Sequence, residues 1–241
     1  MKSLILCVAF VGCLVASSLG QNGPSMLGPA DAYDLGGRKV RIPAPDLFTD
    51  TMILYPRIAD RLTATESPLN DVLAVHVTDD LIPQIRNGEE PDLGFFTKVS
   101  VAKQLRTFDA QPLEFRALVT EFEKQPAGSL QAIAKTGERS ASERLSHHWG
   151  TDAGLKIGET RMLGHFDKQA RSISSMFLMN MEIFQRKLTI LGSMSLVHLN
   201  DRIVFVYVFR TATADTDQQT VAEFTKRWLA KIIAANPTQK N

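Results

Sequence analysis

Between Leu188 and Arg210 the chain reads "LTILGSMSLVHLNDRIVFVYVFR", two β runs about Asn200-Asp201 that are apolar on both faces. Asn and Asp tolerate positive φ, so the pair predicts a two-residue hairpin turn. If Leu199 pairs with Arg202, every facing pair follows. His198 meets Ile203, Leu196 meets Phe205, Met194 meets Tyr207 and Gly192 meets Phe209. On the other face Val197 meets Val204, Ser195 meets Val206 and Ser193 meets Val208. One face is bulky and aromatic, the other small and β-branched. A ribbon greasy on both sides has to be covered on both sides. One cover follows at once: "DTDQQTVAEFTKRWLAKIIAAN", with Asp217 at the N-cap and Val221, Phe224, Trp228, Ile232 and Ala235 on one stripe, ends at Asn236-Pro237.

Upstream, "RKVRIPAP" alternates as a short strand stopped by Pro43 and Pro45. Spacing from Met52 predicts a helix to about Thr65, with Pro56 implying a kink or a later start. "DVLAVHV", ended by Asp79-Asp80, and "FFTKVSV" read as buried strands. Helices are expected from Leu113 to about Lys124 and from Ser129 to Trp149, the latter on the surface. "TRMLGHFDKQARSISSMFLMNMEI" reads as two strands joined around Asp167-Lys168-Gln169. The expected class is α+β: a mainly antiparallel sheet with helices packed on both faces, in one domain from 38 to 237. Residues 21–37, rich in Gly, Pro and Asp, read as a flexible N-terminal segment.

The first twenty residues, "MKSLILCVAFVGCLVASSLG", carry one lysine, an apolar run and small residues. That is the pattern of a secretory signal peptide cleaved after Gly20. The run is shorter than a bilayer span needs. Val11-Gly12-Cys13 is a poor lipobox, with Phe10 where leucine is usual. Both cysteines, Cys7 and Cys13, fall inside this segment, so the remainder offers no disulfide, thiolate metal site or cysteine nucleophile. Removing Lys2 leaves 26 basic against 26 acidic residues, and no basic field for nucleic acid. No second stretch reaches membrane-spanning length. The expectation is an exported protein, periplasmic or secreted.

No catalytic constellation is legible. Ser193 and Ser195 in "GSMSL" lack the G-x-S-x-G elbow, and small polar residues under a close-packed helix explain them. The candidates for a metal or acid–base site are His76 with Asp79 in "HVTDD", and His165 with Asp167 in "HFD". Alternate positions on a strand put the latter pair on one face. The adjacent His147 and His148 point about 100° apart on a helix and do not share an ion. His198, beside a turn, reads as a half-exposed strand end. Glu89-Glu90 reads as solvated loop charge. Met176, Met179, Met181 and Met194 suit core filling as well as soft copper binding. No cofactor is expected. Three functions stand: a non-enzymatic accessory or binding module of the cell envelope, partnered by an envelope protein or small ligand; an enzyme built on the His/Asp cluster; and a carrier of a small apolar ligand near Phe205, Tyr207 and Phe209, if the Trp228 helix leaves room.

"GRKVRIPAPDLFTD" and "SMSLVHLNDRIVFVYVFR" with the Trp228 helix resemble an uncharacterised group of exported bacterial proteins with an Ile-Pro-Ala-Pro strand motif. The ensemble is similar, at fold level, to the PsbP-like α/β/α sandwich. The resemblance covers about a third of the chain and implies that architecture, but no activity or site residue. Leu47 departs from it, standing where a glycine is expected before Phe48.

Overall fold

The computed structural model describes residues 32–124, 129–214 and 217–237. The signal-peptide pattern lies outside them. The chain is α+β, built on a seven-stranded antiparallel sheet and a separate two-stranded hairpin. In chain order the strands are β1 (Ala32–Leu35), β2 (Arg38–Arg41), β3 (Phe48–Asp50), β4 (Asn70–Thr78), β5 (Phe95–Ala102), β6 (Lys156–Gln169), β7 (Ser172–Ile183), β8 (Arg186–Leu199) and β9 (Arg202–Thr211). The helices are α1 (Pro56–Thr63), α2 (Ile82–Arg86), α3 (Pro112–Glu123), α4 (Ser129–Trp149) and α5 (Asp217–Ala235). The large sheet runs β3-β4-β5-β9-β8-β7-β6.

The hairpin of β8 and β9 has the expected register throughout, from Leu199 opposite Arg202 to Gly192 opposite Phe209. Asn200 and Asp201 take φ of 48° and 61° at its turn. Val204, Val206 and Val208 pack with Val221, Trp228, Leu229 and Ile232 of α5. The opposite parity, Met194, Leu196 and Ile203, packs with Phe115, Leu118, Val119 and Phe122 of α3. Gly192 clears space for a ring, but the ring is Phe177 from β7 rather than Phe209. A Cβ at Gly192 would stand 2.2 Å from the Phe177 Cζ. Gly192→Ala is therefore expected to cost about 1–3 kcal/mol, read as a lowered denaturation midpoint at unchanged m-value.

Three expectations need correction, and one alternative is settled. Strand structure reaches back to 32, ahead of the expected 38: Tyr33 and Leu35 are buried strand residues, and Gly36-Gly37 (φ 62° and 81°) close the β1–β2 hairpin as a two-glycine turn. Of the two readings of Pro56, a kink or a later start, the later start holds: Pro56 opens α1, because its missing N–H is no loss at a helix N-terminus. Asp167, Lys168 and Gln169 lie within β6, and the connection falls at 170–171. His198 is 7 % exposed, its Nε2–H donating to the Ala110 carbonyl at 2.6 Å and its ring stacked on Phe115.

Leu47 holds the left-handed conformation expected of a glycine, with φ 66° and its side chain exposed. Its carbonyl accepts the Asp79 N–H at 2.9 Å, fixing the turn into β3. A left-handed non-glycine residue costs roughly 1–2 kcal/mol, against about 0.5–1 kcal/mol for glycine's extra unfolded freedom. Leu47→Gly is expected to raise stability by about 0.5–1 kcal/mol, read as a higher Tm.

Candidate functional site

The two histidine–aspartate pairs are not brought together. His76 lies on β4 and His165 on β6, five strands apart in the sheet order, or roughly 24 Å at the usual strand spacing. Extension stops at Thr78, and Asp79 opens a 3₁₀ turn on the surface, accepting a hydrogen bond from Thr49 Oγ1 at 2.7 Å. His76 turns the other way, toward α5: its Nδ1 is 2.9 Å from Thr97 Oγ1 and its ring meets Trp228 edge-on. Burial, helped by the Lys231 charge, pushes its pKa down to about 3, so the ring is neutral. Within β6 a bulge sets His165 opposite Ser175 but Asp167 opposite Ser174, so the two side chains leave opposite faces of the sheet. His165 Nδ1 pairs with Ser175 Oγ at 2.7 Å, while Asp167 Oδ1 accepts from Gln169 Nε2 at 3.0 Å. Among the described residues no three His, Cys, Asp or Glu side chains are grouped to hold a metal ion.

The serines are sealed under α5. Thr225 spends its one hydroxyl proton on the Val221 carbonyl at 2.7 Å, so Ser193 is the donor in the 2.7 Å Ser193–Thr225 bond. Ser195 pairs with Ser174 at 2.8 Å, and both are fully buried. His198 points from the opposite face. No nucleophile is presented there. Glu90 is more engaged than a solvated loop charge: it accepts the Trp149 Nε1–H at 2.7 Å and pairs with Arg57. The Trp149 bond holds its carboxyl below the usual glutamate range, despite some burial.

The aromatic face is covered differently. α5 lies on the other side, so the room above Phe205, Tyr207 and Phe209 is set by α3 and α4. α3 packs on the Met194, Leu196 and Ile203 end of that face, and the space beside it, under α4, is a half-open cleft of about 1130 Å³. Its floor is Phe96, Phe177, Phe205, Tyr207 and Phe209; Met179 and Met194 extend it toward β7 and β8. Leu118 and Phe122 of α3 and Leu145 and Trp149 of α4 form the roof. Ligand sites usually measure about 300–1,000 Å³ with mostly apolar walls; this one, about 1130 Å³, lies just above that range.

One charged pair sits inside the grease. β5 alternates so that Phe96 and Lys98 point inward, placing a lysine amid rings on the third strand of the sheet. The Lys98 ammonium is 2.6 Å from Glu66 Oε2, with side chains only 5 % and 9 % exposed. It also stands 5.5 Å from the centroids of both the Tyr207 and Phe209 rings, within cation–π range. Glu66 is delivered by the turn after α1. Asn70 Nδ2 donates to its other oxygen at 2.5 Å. Arg144 of α4 grips the same turn, donating to the Ala64 and Glu66 carbonyls at 2.7 Å each. Burial pushes the Glu66 carboxyl up, but Lys98, by charge and hydrogen bond, and Asn70 outweigh it and leave the pKa below the usual value. Burial, with the Glu66 charge behind it, drives the Tyr207 phenol far above the ordinary tyrosine range, so it remains a hydrogen-bond donor. Such an ion pair gives little net stability against an apolar pair of equal volume. Sequence offered one trace of it, the lone lysine in "FFTKVSV"; nothing pointed to Glu66.

No family model and no curated relative matches the chain. A solved structure of a mutant of the protein Mog1 is 14% identical over 85% of this chain and 93% of that one, with a TM-score of 0.30. That likeness is too slight to carry an argument. No described helix is long and apolar enough to cross a membrane.

Proposed function

We propose that this chain is an exported, non-enzymatic binding protein of the cell envelope, whose cavity takes a small and largely apolar molecule. The cavity of about 1130 Å³ between the aromatic sheet face and α3 and α4 carries the proposal. An apolar guest there removes wall from water, gaining roughly 2.5 kcal/mol for each 100 Å² covered. Export rests on the N-terminal pattern of one lysine, an apolar run and small residues. Helix α5 on one sheet face and α3 on the other support a PsbP-like sandwich.

Binding is tested with the neutral fluorophore N-phenyl-1-naphthylamine. Saturable binding is expected, with a change in Trp149 emission, since Trp149 lines the cavity and Trp228 lies beneath the sheet's other face. Met179→Trp, which fills the floor, is expected to weaken binding at least tenfold. Absence of saturable binding, or equal binding by Met179→Trp, overturns the cavity as the site. Saturable turnover of a hydrolase or redox substrate by the purified protein overturns the non-enzymatic reading.

A further inference from the structure

We propose that Lys98, with Tyr207 beside it, is a head-group subsite, and that the guest is an amphiphile whose carboxylate docks there while its apolar body lies along the aromatic floor. The inference rests on the cavity being the binding site. Hydrogen-bond donors point to it first. Both Glu66 oxygens are engaged, one by Lys98 and one by Asn70. Lys98 has three N–H donors, and Glu66 is its one hydrogen-bonding partner among the described residues, the other neighbours being ring faces. Tyr207 faces Lys98 across the β5–β9 register, with its hydroxyl against Ser100, so the free donors are those of the Lys98 ammonium. The capacity left at this end of the cavity is therefore for donating, which selects an acceptor head group.

Charge narrows the choice. Arg144 holds the Glu66 turn through its backbone carbonyls and interacts electrostatically with the Glu66 carboxylate. Glu143 also acts on Arg144, but it is exposed and paired with Arg139, so Lys98 and Arg144 against Glu66 leave one positive charge uncompensated in the group. A carboxylate neutralises it; an alcohol does not, and an ammonium adds to it. In this low-dielectric surrounding that difference is larger than at the surface. The Phe and Met floor suits an alkyl or fused-ring body.

The test is calorimetric titration of the purified protein with decanoate, decanol and decylammonium. Decanoate is expected to bind at least tenfold more tightly than decanol, and decylammonium more weakly than either. Glu66→Gln removes the competing anion while keeping the side chain's shape; it is expected to tighten decanoate severalfold and leave decanol unchanged. Lys98→Met alone strands a buried carboxylate and disturbs folding as well as binding, so the doubly neutral Lys98→Met/Glu66→Gln protein is titrated beside it, with loss of the decanoate preference expected. If decanol binds as tightly as decanoate, or the double variant keeps the preference, the head-group subsite is overturned while the cavity stands. If none of the three binds and N-phenyl-1-naphthylamine also fails, the cavity reading itself falls.

Discussion

Replacing Arg202 by leucine is expected to cost about 3–5 kcal/mol. Arg202 is the largest fully buried side chain among the described residues, 2 % exposed at the start of β9. Its Nε donates to the Leu35 carbonyl at 2.6 Å and its Nη2 to that of Gly36 at 3.0 Å. Nη1 donates to the Phe108 carbonyl at 3.1 Å and pairs with Asp109. One planar fork thus ties the β1–β2 hairpin and the loop before α3 to the central ribbon. Leucine fills the space but takes the Arg202 donor from four carbonyls, those of Leu35, Gly36, Phe108 and Asp201, at about 1–3 kcal/mol for each left buried and unpaired. Lysine is a point donor and cannot span the same set, so Arg202→Lys is expected to recover less than half of the loss. Urea denaturation of the three proteins measures both. A loss under about 1 kcal/mol for Arg202→Leu, the low end of that range, would show that the carbonyls find water instead.

Lys98→Met is expected to cost about 3–5 kcal/mol at neutral pH, and to invert how stability responds to acid. In the parent protein the folded Glu66 pKa lies below the usual value of 4.5. Its contribution is present above that value and is lost as pH falls through the folded pKa. Without Lys98 the burial that opposes ionisation has lost its main counterweight, and the folded pKa rises above the unfolded one. The contribution is then present at low pH and lost as pH climbs through the raised pKa. The variant should therefore close on its parent as pH is lowered toward the usual value of 4.5. Lys98→Met/Glu66→Gln has no buried charge to strand and is expected to lie within about 1.5 kcal/mol of the parent at neutral pH. Denaturation midpoints from acid to neutral pH decide the sign. A Lys98→Met protein that weakens in step with its parent on acidification would show that Glu66 stays ionised by another route.

What the sequence disclosed followed from period and turn chemistry. The β8–β9 register was readable because Asn200-Asp201 fixed the turn and alternation then left no choice. Helix α4 was readable end to end and lies on the surface as expected, with only Ala141 and Leu145 of its described side chains buried against the body. The turn between β7 and β8 was not marked, because it is made by Phe184 and Gln185 at φ of 48° and 61°, residues that do not advertise left-handed backbone. The Phe184 ring is held there against Trp149 from α4, a tertiary contact that local pattern does not reveal. The β6 bulge that parts His165 from Asp167 has the same origin, since an unpaired residue leaves no compositional mark. A pocket at Phe205, Tyr207 and Phe209 was legible from the aromatic face, but the cover that the sequence suggests, the Trp228 helix, packs on the other side. How far α3 and α4 stand off the aromatic face depends on how those helices are seated, and the Lys98–Glu66 pair joins residues from separate elements.

Arg41 and Asn236 exchange two hydrogen bonds, the Arg41 N–H donating to Asn236 Oδ1 at 2.8 Å and Asn236 Nδ2 to the Arg41 carbonyl at 2.7 Å, across 195 positions of sequence. The Arg202 fork spans 167 positions in reaching Leu35. Translation delivers residues in order, so the first hairpin emerges long before either of its anchors exists. Final closure must wait on the last helix, and a nascent chain stalled before it would keep that hairpin undocked and open to chaperones or proteases.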